Sequence, residues 1–540
     1  MHIKQFHVEN EFSCLKNFDI EFKIVEGNGG SSTILIGENG AGKSTMLKAI
    51  LDIITSFDSD AKKTNIDYQF TLKYIYAQKR IEIKKGDKYY SVKIDGETIP
   101  PRTPKTINSW LTKNGKRIFP ERLIAFYSGS NNVFYENIQK INRSFSLGYK
   151  RNFNSYTDFI KSGKSYEPLK NYKSKYLYCD ESFVPIYLIA ILACENSYEK
   201  DILYKECGLS KIVRIDIKLT IDKNDYFDKR TNSKYSAYKS NFKKKLISIV
   251  DFVDPRFTEL FQNGNCHFGK SKKETVSLYD IEHLGVDSIS LLEFFEKLKI
   301  FYKAEYSVLV ENDGINVRDI DLSEGQRQLI KILGMLGVCK NEDCLVLMDE
   351  PDAHMNPLWK YHIKEIIDSV LKPQKENEKP INIQAIIATH DPLVINGVSK
   401  DYIRIFERVD GQTKVRYPDT NTEGMGVDGL LQSDYYGLPT ILDSETKKKM
   451  DEKLNLLIER KERGKLTKVK EKKLEDLTEE LENMTFSRNM PTDKYYDEFV
   501  LAMHKIYGKE TNVKLTKEEI AERNAKAEEI LQEIIKNEVY

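Results

Sequence analysis

The sequence predicts an α/β protein built on a nucleotide-binding sheet, and three stretches carry that expectation. The first is Ile34–Thr45, ILIGENGAGKST, which has Gly37, Gly42, Lys43 and Ser44 at the spacing Gly, four residues, Gly, Lys, Ser/Thr. The other two are short apolar runs, Cys344–Met348 and Ile383–Ala388, which end in Asp349-Glu350 and in Thr389-His390-Asp391. A helical stretch separates them, the pattern of buried parallel strands whose carboxyl ends carry a site.

The phosphate-loop motif has the context it needs. An apolar run (Thr33, Ile34, Leu35, Ile36) enters it and a helical pattern (Met46, Leu47, Ala49, Ile50, Ile53) leaves it. Glycines let consecutive N–H groups turn inward around phosphates, and the new helix presents its positive end to them. Lys43 then neutralises phosphate oxygens, and the Ser44 hydroxyl suits Mg²⁺. Gly37, Asn39, Gly40, Gly42, Lys43, Ser44 and Thr45 are the candidate nucleotide-binding residues of this stretch.

Composition sets the bounds. The 540 residues, 31% charged and 40% hydrophobic, fit a soluble globular chain of roughly three to four domain-sized units. No run approaches the roughly 20 apolar residues of a membrane span, and the start, MHIKQFHVEN, lacks an apolar signal core, so a cytoplasmic protein is expected. Seven scattered cysteines with no C-x-x-C pair suggest neither a disulfide framework nor a zinc site. A net charge of +1 gives no global nucleic-acid signature.

Four segments follow along the chain. Residues 1–132 make the first part of the core, with an alternating strand at Asn17–Val25, a strand-rich stretch at Phe70–Ile99 turning at Lys84–Asp87, and RLIAFYSGSNN at Arg122–Asn132. Residues 133–319 read as a mainly helical insertion, with an apolar helix at Phe183–Cys194, an alternating strand at Ile212–Ile221 and a second helix at Leu291–Tyr302. Residues 320–420 are the second part of the core, entered through SVLVENDGINV from Ser307. Residues 421–540 form a charged helical region, where Leu454, Leu457 and Ile458, then Leu474, Leu477 and Leu481, mark two amphipathic helices broken near Gly464.

The chemistry-bearing residues come as an ordered set. In Leu322–Gln326, LSEGQ, Ser323 is placed to cap a helix and Gly325 permits close backbone approach. In LVLMDE the strand delivers Asp349 to the Mg²⁺ shell and Glu350 beside a γ-phosphate, where it orients water. His390 ends the neighbouring strand. Singly, a strand-end histidine is most often structural and an Asp-Glu pair is often a solvated turn. Their order and spacing behind a phosphate loop argue against that alternative.

With these motifs the sequence resembles the ABC-type ATPase heads shared by transporter nucleotide domains, SMC-like proteins, and RecF-like and OLD-like ATPases. The resemblance implies an ABC-type P-loop ATPase head, a mixed sheet flanked by helices, using ATP and Mg²⁺. It also implies a head-to-head homodimer in which Ser323, Gly325 and Gln326 act on the partner's ATP, with Glu350 as general base and His390 as γ-phosphate sensor. The glutamine usual after the phosphate loop is not evident, and Asn131 or Asn132 stands in that region.

The stretch DGLLQSDYYGLPTILDSETKKKMDEKL, above all Leu430–Leu442, is similar to the ATPases of Septu-type anti-phage systems, including their retron-associated version. That resemblance implies an HNH-type nuclease partner and, for a retron version, a reverse transcriptase with its RNA-linked DNA. The C-terminal helices suit such a partner and equally suit an internal bundle. Two other readings stay open, a repair ATPase that clamps DNA and an OLD-like nuclease using Asp493, Asp497 and Glu498. Lys243, Lys244 and Lys245 with Tyr235, Tyr238 and Phe242, together with Lys270, Lys272 and Lys273, are candidates for nucleic-acid contact, or else solvated charges.

Overall fold

The computed structural model describes residues 1–23, 30–58, 66–128, 134–136, 138–139, 141–142, 146–147, 149–150, 153, 175–194, 197–220, 235–268, 273–373, 381–482, 494–507 and 517–538. They divide into two compact units, Met1–Tyr417 and Pro418–Tyr540.

The first unit is organised by a seven-stranded sheet. In spatial order its strands are Gln412–Arg416, Ile403–Val409, Ser31–Gly37, Ile383–Ala388, Cys344–Asp349, Arg122–Tyr127 and Tyr176–Cys179. All neighbours run parallel except the Gln412–Arg416 hairpin strand. Every residue of Ile383–Ala388 and Cys344–Asp349 is buried, as expected of central parallel strands covered on both faces. The strand leading to His390 lies between the phosphate-loop strand and the strand leading to Asp349.

Beside it stands a six-stranded antiparallel sheet formed by His2–Phe12, Leu15–Glu21 and the four strands between Phe70 and Arg102. The helix Lys43–Ser56 is buried among both sheets, so Met46, Leu47, Ile50, Leu51, Ile53 and Ile54 share one core with Phe6, Phe18, Leu72, Leu345 and Ile386. The phosphate loop is therefore anchored at its strand and at its helix.

The segment 133–319 holds the expected helices, seen as Val184–Leu192 and Ser288–Phe301, and also a five-stranded antiparallel sheet. Sequence reading finds one of those strands, near Leu209–Thr220, and misses short ones such as Asn265–Phe268. SVLVENDGINV does not return the chain to the central sheet; Lys303–Asn312 and Ile315–Arg318 make a hairpin within the five-stranded one. Burial alternates along Lys303–Asn312, the mark of a half-solvated antiparallel strand.

In the second unit Ser444–Arg463 and Lys468–Glu482 are the two expected helices, and Gly464 takes the left-handed conformation that ends the first. Leu456, Leu474 and Leu477 form their shared core. Among the described residues no helix is long and apolar enough to cross a membrane, and all seven cysteines are free thiols.

Candidate functional site

Register brings the functional residues into one row at the carboxyl edge of the central sheet. Asp349 pairs with Ala388 and with Tyr127, and Ala388 pairs with Leu35. Just beyond, the Thr389 N–H donates to Leu35 O at 2.9 Å, Glu350 N–H to Ala388 O at 2.8 Å, and Ser128 N–H to Asp349 O at 3.3 Å. Gly37, Thr389-His390, Asp349-Glu350 and Ser128 thus stand side by side.

The phosphate loop is held tightly. Gly37 has φ 143°, and a Cβ there would stand 2.2 Å from Phe406 O. Gly42 has φ 102°, and its Cβ would meet Thr413 Oγ1 at 2.6 Å and Cys14 Sγ at 3.0 Å. Only glycine fits either place. Thr413 Oγ1 also donates to Ala41 O at 2.9 Å, so two hairpins distant in sequence press on the loop. Asn39 and Gly40 are exposed at its crest, while Ser44 and Thr45 are half-buried at the helix start. Lys43 is 5% exposed and its ammonium donates to Gly37 O at 2.6 Å and Glu38 O at 3.2 Å. Burial lowers its pKa, against the upward pull of Glu350, Asp349 and Asp352.

The acids opposite are less satisfied. Asp349 is 1% exposed, and neither carboxylate oxygen has a hydrogen bond of ordinary geometry. Burial pushes its carboxyl up to about 6, while the nearby Ser44 hydroxyl and Lys43 pull it down. A buried, unpartnered carboxylate beside a hydroxyl suits a hard cation, so Ser44 and Asp349 fit Mg²⁺. Glu350 adopts φ +53°, a left-handed backbone that costs an L-residue about 1–2 kcal/mol. Its Oε2 lies 2.7 Å from His390 Nδ1. Asp352, also 1% exposed, is pushed by burial up to about 6, with the Thr389 hydroxyl lowering it.

The LSEGQ segment opens the helix Glu324–Cys339 with a full capping box: Ser323 Oγ accepts from Gln326 N–H at 3.2 Å, and Ser323 N–H donates to Gln326 Oε1 at 3.0 Å. Ser323 and Glu324 are exposed, while Gly325 packs under Trp359. The helix is anchored from behind. Arg327 and Lys331 both bond Glu181 (2.8 and 2.5 Å), Gln328 Nε2 donates to Pro351 O at 2.8 Å, and Gly334 leaves room for the Tyr187 ring.

The structure therefore brings together Lys43, Ser44, Asp349, Glu350 and His390. Among the described residues, no hydrogen bond or ion pair joins Ser323, Gly325 or Gln326 to the phosphate loop. Asn131, Asn132, Asp493, Lys270 and Lys272 lie outside the described residues, and the side chains of Asp497, Glu498, Lys273, Tyr235 and Tyr238 do as well. Lys243 donates to Gln262 O, and Lys244 is exposed. Sequence reading misses Ser128, Asp352 and Thr413. Asp352 had a signal, a third acid just after the Asp-Glu pair; Ser128 lies in RLIAFYSGSNN, a stretch whose loop the sequence places near the nucleotide without singling out this residue, and Thr413 had no signal.

Comparison with known proteins agrees with this core. A family model described as "AAA domain" matches residues 7–247, and one described as "AAA domain, putative AbiEii toxin, Type IV TA system" matches residues 198–396. The chain is 25% identical over 425 residues to the retron Vc95 probable ATPase of Vibrio cholerae serotype O1 biovar El Tor, covering 74% of each. It is 23% identical over 429 residues to the retron Ec83 probable ATPase of Escherichia coli, covering 75% of this chain and 71% of that one. To the Septu protein PtuA of Bacillus mycoides strain KBAB4 it is 26% identical over 213 residues, 37% of this chain and 27% of that one. Among solved structures, the SMC head domain from Thermotoga maritima overlaps loosely, with a TM-score of 0.33 at 11% identity over 78% of this chain and all (100%) of that one. Carrying a phosphate loop, an acid-ended strand and a histidine-ended strand between them, the chain is a P-loop ATPase, similar to the retron Vc95 and retron Ec83 probable ATPases and to the Septu protein PtuA.

Proposed function

We propose that this ATPase is a cytoplasmic subunit of an anti-phage defence complex, that it dimerises head to head around ATP, and that its nucleotide state controls a separate HNH-type nuclease. Residues 1–132 and 320–420 supply the ATPase core, 133–319 the insertion, and 421–540 the helices that bind the partner. In a retron-type assembly a reverse transcriptase and its RNA-linked DNA join, with Lys243, Lys244 and Lys245 as contacts to nucleic acid. The names of the retron and Septu relatives support the setting.

One observation carries the dimer: the capped LSEGQ turn presents Ser323 to solvent, with no bond to its own phosphate loop. Ser323, Gly325 and Gln326 then meet ATP held by another copy. Gly37, Asn39, Gly40, Gly42 and Thr45 wrap that ATP with backbone donors, and Lys43 releases its two carbonyls to engage phosphate oxygens. Ser44 and Asp349 would hold Mg²⁺, which when bound would neutralise phosphate charge. Glu350 accepts the proton of the attacking water, and His390, already 2.7 Å from its carboxylate, orients it and senses the γ-phosphate.

Glu350→Gln tests this reading. The variant should bind ATP, hydrolyse it at least about a hundredfold more slowly, and accumulate as an ATP-bound dimer in light scattering. Hydrolysis at the wild-type rate would remove Glu350 as base, and a monomer saturated with ATP would remove the dimer.

A further inference from the structure

We propose that Ser128 is a positioning residue for ATP hydrolysis, holding Glu350 in the backbone geometry from which its carboxylate meets water. This rests on the reading of Glu350 as the base. Most other non-glycine residues with positive φ, among them Ala77, Gln78, Asp95, Asp313 and Asp410, sit between paired antiparallel strands, where such angles are ordinary turn geometry. Glu350 instead follows directly on a fully buried strand of the central sheet. A left-handed glutamate there persists only where its surroundings over-determine it.

Ser128 makes up much of those surroundings. Its N–H donates to Asp349 O at 3.3 Å and its hydroxyl to Glu350 O at 2.6 Å, so one residue clamps both carbonyls of the acid pair. On the opposite side the Glu350 N–H donates to Ala388 O at 2.8 Å, and Ala353 N–H reaches Glu350 O at 3.2 Å. The acid pair is thus pinned from both neighbouring strands. Any residue but proline supplies the N–H at 128, but of the short side chains only serine or threonine supplies the hydroxyl. Without it the Glu350 carbonyl keeps a single long partner, and the peptide is free to relax toward negative φ. That rotation carries the carboxylate away from His390. Ser128 therefore acts through Glu350 and not on the nucleotide.

Steady-state and single-turnover hydrolysis by the full chain, with Mg²⁺ and ATP, tests this. Ser128→Ala should lower kcat by about tenfold or more, since small displacements of a reacting group are costly, while KM for ATP stays within about twofold. Ser128→Thr should restore most of the rate. In a Glu350→Gln background, Ser128→Ala should slow the residual single turnover no further, because the two changes remove the same function. An S128A chain with wild-type kcat, or one that slows E350Q by its full factor again, would overturn the proposal. An inactive E350Q beside an unimpaired S128A would overturn Ser128's role alone. An E350Q chain as fast as wild type would overturn the base and Ser128's role together.

Discussion

The phosphate loop and the LSEGQ turn are both glycine-containing helix starts, yet they are built in opposite ways. The phosphate loop is enclosed: Gly37 lies against Phe406 O, Gly42 lies against Thr413 and Cys14, and Lys43 is folded onto the loop's own carbonyls. The LSEGQ turn is self-sufficient. Ser323 and Gln326 satisfy each other's backbone, and the turn faces outward from a helix fixed through Glu181, Tyr187 and Pro351. The difference teaches that one motif is a receptor, whose shape the surrounding fold must hold. The other is a self-satisfied helix start with Ser323 exposed to solvent, as the proposed cap requires.

The glycines of the two motifs should respond most differently to a methyl group. Gly37→Ala puts a Cβ 2.2 Å from a backbone carbonyl at a positive φ and should destabilise the first unit by at least about 3 kcal/mol, with ATP binding lost. Gly325→Ala meets only the Trp359 ring edge, at 3.1 Å, and the His354 carbonyl, at 3.3 Å, inside a helix where alanine gains up to about 1 kcal/mol. It should keep the fold and ATP affinity while losing ATP-driven dimerisation. Thermal melts with nucleotide titrations check both, and equal unfolding would mean that the cap is merely structural.

A smaller effect concerns the acids of the receptor half. Burial raises Asp352 from 3.8 to about 6 in the folded state. The folded protein therefore favours its neutral form, and that contribution to stability is present below pH 4 and lost as pH rises through 6. Relative to Asp352→Asn, wild type should lose up to about 3 kcal/mol of unfolding free energy between pH 4 and 7, in the absence of nucleotide. Urea unfolding of both proteins across that range checks it. Parallel curves would mean that Asp352 stays charged throughout.

The two halves also differed in how legible they were. ILIGENGAGKST, LVLMDE and the strand before His390 could be read because local pattern decides them: a continuous apolar run, a glycine spacing and a helical period all occur within a few residues. The N-cap at Ser323 was legible for the same reason, while the return bond from Gln326 that completes the capping box came with the structure. Ser128 and Thr413 were not, because each matters through contacts with segments more than two hundred residues away in sequence. The five-stranded sheet stayed hidden for a related reason. Strands such as Asn265–Phe268 are too short and polar to show a period, and pairing alone makes them strands.

Complementation between two defective chains reads out whether two copies build one composite ATP site. Lys43→Ala destroys the receptor and leaves the cap, while Ser323→Arg blocks the cap and leaves the receptor. Each variant alone should hydrolyse almost no ATP. An equal mixture should recover up to about a quarter of the wild-type rate, because half of the dimers are mixed and each mixed dimer holds one intact site of two. Recovery of that size is the result expected for a cap acting in trans; a mixture as inactive as its components would contradict it.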